Sequence, residues 1–336
     1  MENEGQIGMN VIRVDSLRRS YGDIEAVKGV SFEVLGGEIF GFLGPNGAGK
    51  TTTIHMLCTL LRPDGGTAKV AGYDIRSEPN DVRRSIGVVF QESSLDEQLT
   101  GRENLRFHAM LYNMERDRFN ERADRLLELV ELDERADEQV RTFSGGMKRR
   151  LELARGLLHE PKVLFLDEPT LGLDPQTRRH IWDYLRQLRD REQVTIFMTT
   201  HYMDEAEACD RVAIMDHGEI IALDSPEQLK GTVGGDVVSA YTNDNPAALE
   251  RLSADGVIDS RLGPDGALVI EVDQGDAYIP KMMKRLTEES PSIEVNSVSL
   301  RRPTLEDVFI KLTGRAIREE TADELDRMRQ RSRRGR

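Results

Sequence analysis

FLGPNGAGKTT, residues 42–52, is the stretch on which the reading of this chain turns. Gly44, Gly49, Lys50 and Thr51 satisfy the spacing G-x-x-x-x-G-K-[ST], and the apolar run Ile39–Leu43 leads straight into it, as a strand feeding a phosphate loop should. Glycines at 44, 47 and 49 let the backbone turn tightly enough for successive N–H groups to point at one anion. Pro45, Asn46, Ala48 and Thr52 complete the loop, and the helix that follows adds the positive end of its dipole. Lys50 is expected to reach the β- and γ-phosphates of a nucleotide, and the Thr51 hydroxyl to hold Mg²⁺.

Outward from the loop, Val11–Leu17 and Gly29–Val34 alternate as strands around a turn at Tyr21-Gly22-Asp23. Tyr21 either stacks on a purine base or packs on its own sheet, and the sequence leaves both open. Thr52–Leu61 reads as a helix stopped by Arg62-Pro63-Asp64-Gly65-Gly66, followed by strands at Thr67–Val70 and Ile86–Phe90, with Gln91 at the second strand's end. From Gly101 to Asp137 the apolar positions Leu105, Ala109, Tyr112, Ala123, Leu126, Leu127 and Val130 recur at helical spacing amid dense charge. This insert has one face available to a docking partner.

Ser144-Gly145-Gly146 then opens a helix to about Leu158, making a second anion-receptive N-terminus. Val163–Leu166 is a fully apolar strand ending in Asp167-Glu168-Pro169. An acidic pair at the end of a buried strand costs desolvation unless a cation or hydrogen bonds compensate, which favours a functional role. Asp167 is expected in the Mg²⁺ shell and Glu168 beside a reacting water. Leu171-Gly172-Leu173-Asp174 forms a turn before a helix, and Val194–Met198 is a last apolar strand delivering His201 to the same sheet edge.

The 336 residues suffice for two or three cores, and no apolar run is long enough to span a bilayer. The opening MENEGQIGMN lacks the basic and apolar regions of a signal peptide, which leads to the expectation of a cytoplasmic chain. Cys58 and Cys209 fit no metal or redox spacing and are expected to be buried. A net charge of −14 argues against nucleic acid as a main partner. With 37 Arg against 9 Lys, it fits either a high-salt cytoplasm or genomic base composition.

Taken together and in this order, residues 11–230 resemble the ATP-binding cassette of ABC transporters. The matching features are Tyr21 at the adenine-stacking position, the Walker A loop (Gly44–Thr51), the Q-loop (Gln91) and the signature (Phe143–Met147). Walker B (Val163–Glu168), the D-loop (Leu171–Asp174) and the switch histidine (His201) complete the set. The signature reads FSGGM where LSGGQ is usual, and the D-loop LGLD where SALD is usual; both variants look like the daunorubicin-resistance type of exporter ATPase.

The resemblance implies an α/β P-loop NTPase with a helical subdomain (about residues 91–158) and an antiparallel β subdomain. A small ferredoxin-like α+β domain (residues 235–314) would follow, read from a βαββαβ order with a hairpin turn at Gly263-Pro264-Asp265-Gly266. Thr304 would cap a closing helix with the apolar face Leu305, Val308, Phe309 and Leu312, before a charged tail, 315–336, expected to lack fixed structure. It also implies ATP and Mg²⁺ as cofactors, with Gln91 joining Thr51 and Asp167 around the metal and Glu168, His201 and Gln91 serving catalysis. Ser144, Gly145, Gly146 and Asp174 would contact nucleotide across a head-to-tail homodimer, and a separate ABC-2 type permease would dock on the helical segment. The rival reading from another class is a soluble ABC-type mechanoenzyme acting in translation or on DNA, which usually carries two cassettes in one chain or a long coiled coil.

Overall fold

The computed structural model describes residues 9–91, 93–252, 257–262, 266–288 and 292–314. The N-terminal MENEGQIG, the first three residues of the expected turn at 263–266 and the tail 315–336 lie outside them. Two compact units divide at Asp224/Ser225.

The first unit runs β1 (Asn10–Tyr21), β2 (Ile24–Leu35), β3 (Ile39–Leu43), α1 (Lys50–Leu57), β4 (Gly65–Val70), β5 (Tyr73–Asp74), α2 (Pro79–Ser85) and β6 (Ile86–Val89). It continues through α3 (Gly101–Leu111), α4 (Arg116–Leu129), α5 (Gly145–Leu157), β7 (Val163–Asp167), α6 (Pro175–Glu192), β8 (Thr195–Thr200), α7 (Met203–Ala206), β9 (Arg211–Asp216) and β10 (Glu219–Asp224). α1 stops at Leu57, short of the expected Leu61, because Cys58 caps it and Thr59 turns to φ 61°.

Strands β2, β1, β4 and β5 form an antiparallel sheet in that order. The second sheet has the order β10-β9-β3-β8-β7-β6, parallel throughout except for the β9–β10 hairpin. β3, β7 and β8 are buried along their whole length, which is why they read as unbroken apolar runs rather than alternating ones. The two sheets close on an aromatic cluster: Phe32 of β2 lies 5.1–6.0 Å, ring centre to ring centre, from Phe40, Phe42 and Phe197. Phe165 adds a further ring against Phe197 at 5.3 Å. This packing holds the phosphate loop, at the C-terminal end of β3, rigidly against its neighbours.

Of the stripe its sequence spacing marks, the helical insert buries Leu105, Ala109, Ala123, Leu126, Leu127 and Val130, while Tyr112 is half-buried. Cys58 and Cys209 are both buried and free.

The second unit runs α8 (Pro226–Gly231), β11 (Asp236–Thr242), α9 (Asn245–Leu252), β12 (Val257–Leu262), β13 (Leu268–Val272), α10 (Gly275–Glu288), β14 (Val295–Arg301) and α11 (Leu305–Thr313). Its antiparallel sheet has the order β12-β13-β11-β14, the arrangement of two interleaved βαβ units. α9 and α10 supply Ala248, Leu252, Met282 and Leu286 to its core. Thr304 and Asp307 cap α11 reciprocally. Leu305, Val308 and Phe309 are buried, but Leu312 stays 45% exposed, because α8, the helix packed against α11, is only six residues long.

Beneath the helical insert, His108 of α3 packs beside Tyr112 and His159, whose rings stack at 3.9 Å. Burial, reinforced by the charges of Arg155 and His159, pushes the His108 imidazolium down from the usual 6.5 to about 4. The unfolded chain therefore takes up a proton between those values that the folded chain refuses, so stability falls as pH drops through that window. His108→Gln is expected to lose about 2 kcal/mol less unfolding free energy than the parent between pH 8 and pH 5, measured by urea denaturation. An equal loss in both proteins contradicts this.

Candidate functional site

Four parallel strands deliver their C-terminal ends to one edge: β3 into the glycine loop, β6 toward Gln91, β7 into Asp167-Glu168, and β8 into Thr200-His201. Between them lies a cavity of about 750 Å³ lined by Tyr21, Ala26, Asn46, Gly47, Gly49, Lys50, Thr51, Thr52, Gln91, Glu168, Leu171 and His201. Residues far apart in sequence are thus brought together at one site.

The loop is shaped by backbone constraints. Gly49 has φ 105° and Gly47 φ 82°. A Cβ on Gly49 would collide with Ala26 O, and one on Gly44 with Met215 O, so the loop is pressed between β2 and β9. Lys50, buried, donates from Nζ to Gly44 O at 2.8 Å and Pro45 O at 3.0 Å, and its ammonium lies 3.9 Å from Glu168 Oε1.

Asp167 ends β7 in cross-strand register with Thr199. Its Oδ1 accepts from Thr199 Oγ1 at 2.5 Å and from Thr51 Oγ1 at 3.2 Å. Hydroxyl, carboxylate and the Gln91 amide are hard oxygen donors beside a phosphate loop, the set that suits Mg²⁺ completing its shell with water and phosphate. Among the described residues no group of three or more His, Cys, Asp or Glu could hold a metal ion.

Glu168 has φ 46°, a conformation rarely adopted outside glycine, and its N–H donates to Thr199 Oγ1 at 3.1 Å. His201 Nδ1 lies 3.3 Å from Glu168 Oε1. Burial works to raise the Glu168 carboxyl, but the His201 ring and the Lys50 charge outweigh it and hold the group below its usual value. The carboxylate is therefore an anion at neutral pH, able to orient a water or take its proton. Tyr21 is half exposed at the cavity mouth, with the Arg19 guanidinium 5.2 Å from its ring centre, which leaves the outer face of the ring to stack on a base.

Ser144, Gly145, Gly146 and Asp174 do not line this cavity. Ser144 caps α5 by accepting from Met147 N at 3.3 Å, and Asp174 caps α6 by accepting from Gln176 N and Thr177 N at 3.1 and 3.0 Å. Gly146 packs directly on Thr177, so the two helix starts lie side by side.

Two groups escaped the sequence reading. Arg149, buried on α5, donates to backbone carbonyls around Glu168 and before Gln91. Buried Glu205 accepts from Thr170 Oγ1 and, at 2.6 Å, from Thr200 Oγ1, joining the start of the 171–174 turn to the residue before His201. Both act largely through backbone or hydroxyl partners, for which sequence offers no spacing to read.

A family model described as "ABC transporter" matches residues 27–171. The chain is 43% identical over 320 residues to the daunorubicin/doxorubicin resistance ATP-binding protein DrrA of Streptomyces peucetius, covering 93% of this chain and 95% of that one. It is 38% identical to the linearmycin resistance ATP-binding protein LnrL of Bacillus subtilis (92% and 100%), and 40% identical to the Nod factor export ATP-binding protein I of Ralstonia nicotianae (92% and 95%). Among solved structures, cbiO1 from Clostridium perfringens, part of the ABC transporter complex cbiONQ, is similar with a TM-score of 0.62 at 30% identity, covering 66% of this chain and 91% of that one. A dimeric ATP-binding cassette in a post-hydrolysis state with ADP and Pi gives 0.57 at 27% identity, covering 64% and 98%.

Removing the Lys50 ammonium deletes the buried cation that the glycine loop holds. Lys50→Ala is expected to weaken ATP affinity by about tenfold to a hundredfold in calorimetric titration. Unchanged affinity would contradict the cradle geometry.

Proposed function

The chain belongs to the ABC transporter family and is an ATPase; on that premise we propose that it powers an exporter of the ABC-2 type, working as a pair of cassettes on a separate membrane permease. The observation that carries this reading is the division of the site within one chain. Lys50, Thr51, Gln91, Glu168 and His201 share one cavity, while Ser144–Gly146 and Asp174 stand apart at the starts of α5 and α6. In a head-to-tail pair, the α5 N-terminus of one copy closes over the nucleotide held by the other, and its backbone N–H groups supply the missing charge stabilisation.

Within each half, the glycine loop and Lys50 hold the β- and γ-phosphates, Tyr21 stacks on the adenine, and the anionic Glu168 orients the attacking water in line. His201, beside Glu168, contacts the γ-phosphate. Thr51 and Asp167, with Gln91 in reach, would hold Mg²⁺, which when bound neutralises phosphate charge. Gln91, leaving β6 toward the helical insert, relates nucleotide state to the docked partner.

Among the described residues no helix is long and apolar enough to cross a membrane, and on this reading the pore belongs to a separate permease. The helical insert offers a place for it. On α3, Phe107, Met110 and Leu111 are 61%, 67% and 65% exposed, one apolar face at i, i+3, i+4 spacing that no described element covers. We place the permease's cytoplasmic segment there, which puts the chain on the inner face of the membrane. Relatives named for daunorubicin, doxorubicin and linearmycin resistance and for Nod factor export support export as the direction of transport, with selectivity left to the permease.

Glu168→Gln is expected to bind ATP but to lose at least about a hundredfold in turnover. Purified from detergent-solubilised membranes with ATP, it should bring down a multi-span membrane protein. Serine at 107, 110 and 111 should release that protein while leaving basal ATP hydrolysis intact. Recovery of ribosomes or DNA-bound proteins instead would favour the soluble mechanoenzyme.

A further inference from the structure

Arg149 lies one turn into α5, just past the Ser144–Gly146 start, and is only 6% exposed. Its five N–H donors meet five acceptors. Nε donates to Pro169 O at 2.6 Å, Nη1 to Phe90 O at 2.6 Å and to Glu152 Oε2 at 3.0 Å, and Nη2 to Asp167 O and Glu168 O, both at 3.4 Å. Three of these carbonyls are consecutive in sequence and have Glu168 at their centre; a fourth immediately precedes Gln91. Glu152, also buried, extends the set by accepting from Ser94 N at 3.1 Å.

We infer that Arg149 is a positioning residue: it sets the orientation of the Glu168 carboxylate by clamping the carbonyls on either side of it, and ties that setting to the Phe90–Gln91 segment. This rests on Glu168 being the group that orients the attacking water.

Three physical points support it. Glu168 is at φ 46°, as the exposed Glu131 and Glu160 are at φ 53° and 57°, so the turn itself is open to a glutamate and what is particular to Glu168 is the constraint on it. Three guanidinium hydrogen bonds to successive carbonyls, with Thr199 Oγ1 on the Glu168 N–H, provide that constraint. Nη1 pairs with Glu152 Oε2 at 3.0 Å with both side chains almost withdrawn from solvent, which fixes the fork in place. The planar fork cannot be copied by an ammonium, which offers three donors from one point on a flexible stem. Because the clamp is carried by α5, displacement of the signature turn is transmitted to Glu168 and the Gln91 segment together.

The test uses the full-length chain. Removing Arg149 alone would leave Glu152 buried and unpaired, so the first variant is Arg149→Met with Glu152→Gln, which deletes both charges, preserves volume and keeps an acceptor for Ser94 N. Arg149→Lys is the second, retaining the charge while losing the fork, and Glu168→Gln runs in parallel. The inference expects the double variant to keep its melting transition and its KM for ATP within about threefold, while kcat falls about a hundredfold. For Arg149→Lys it expects a kcat loss of about tenfold at unchanged KM, and that variant decides the matter if the double variant does not fold. A parent-level kcat in either folded variant, including one that melts earlier, overturns the clamp if Glu168→Gln is inactive. Turnover retained in Glu168→Gln overturns the reading of Glu168, and the inference with it.

Discussion

One buried carboxylate holds the phosphate site in shape. Asp167 closes β7 with a side chain almost withdrawn from solvent, and burying a carboxylate is costly unless its oxygens are satisfied. Thr199 of β8 and Thr51 of α1 satisfy the same oxygen, so a single acceptor fixes two strands and the helix that follows the glycine loop. Thr199 also accepts from the Glu168 N–H, which extends the arrangement by one residue to the reactive carboxylate. Behind it the fully buried Phe40, Phe42, Phe165 and Phe197 leave the strand ends little freedom to shift.

From that point the chemistry follows from strand direction. Parallel strands put all their C-terminal ends on one edge, so an ammonium, a carboxylate, an amide and an imidazole from four strand ends converge without any long loop. The same topology leaves the starts of α5 and α6 as a separate surface, joined by the contact of Gly146 on Thr177. A site divided in this way fits the proposed pairing, in which the second half would be supplied when two copies meet. On this account Arg149 gives the assembly step a mechanical route to Glu168, since it hangs from the helix whose first turn closes the partner's site.

Much of this was legible in the residues, and the reasons are specific. The glycine loop declares itself because only glycine tolerates φ near 105° against the Ala26 carbonyl. Asp167 and Glu168 stand out because two acids at the end of a buried apolar strand cost desolvation unless partners compensate. The apolar stripe of the helical insert repeats at the helical period and is buried accordingly. Arg149 was invisible for the opposite reason: four of its five acceptors are backbone carbonyls, whose positions depend on the fold and leave no trace in side-chain spacing. Phe107, Met110 and Leu111 lie off the stripe of Leu105, Ala109 and Tyr112 that marks the buried face of α3, so the helical period did not single them out. Leu312 shows the limit of periodicity, which identifies an apolar face but not how far the opposing helix α8 extends along it.

The most direct measurement is an experimental structure of the full-length Glu168→Gln protein with Mg²⁺ and ATP. The account predicts two copies related head to tail, with each γ-phosphate held between Gly44–Thr51 of one copy and the Ser144–Gly146 helix start of the other, and His201 against the same phosphate. ATP bound in a single copy with its γ-phosphate open to solvent, or a pair joined through a surface that leaves Ser144–Gly146 away from nucleotide, would contradict it.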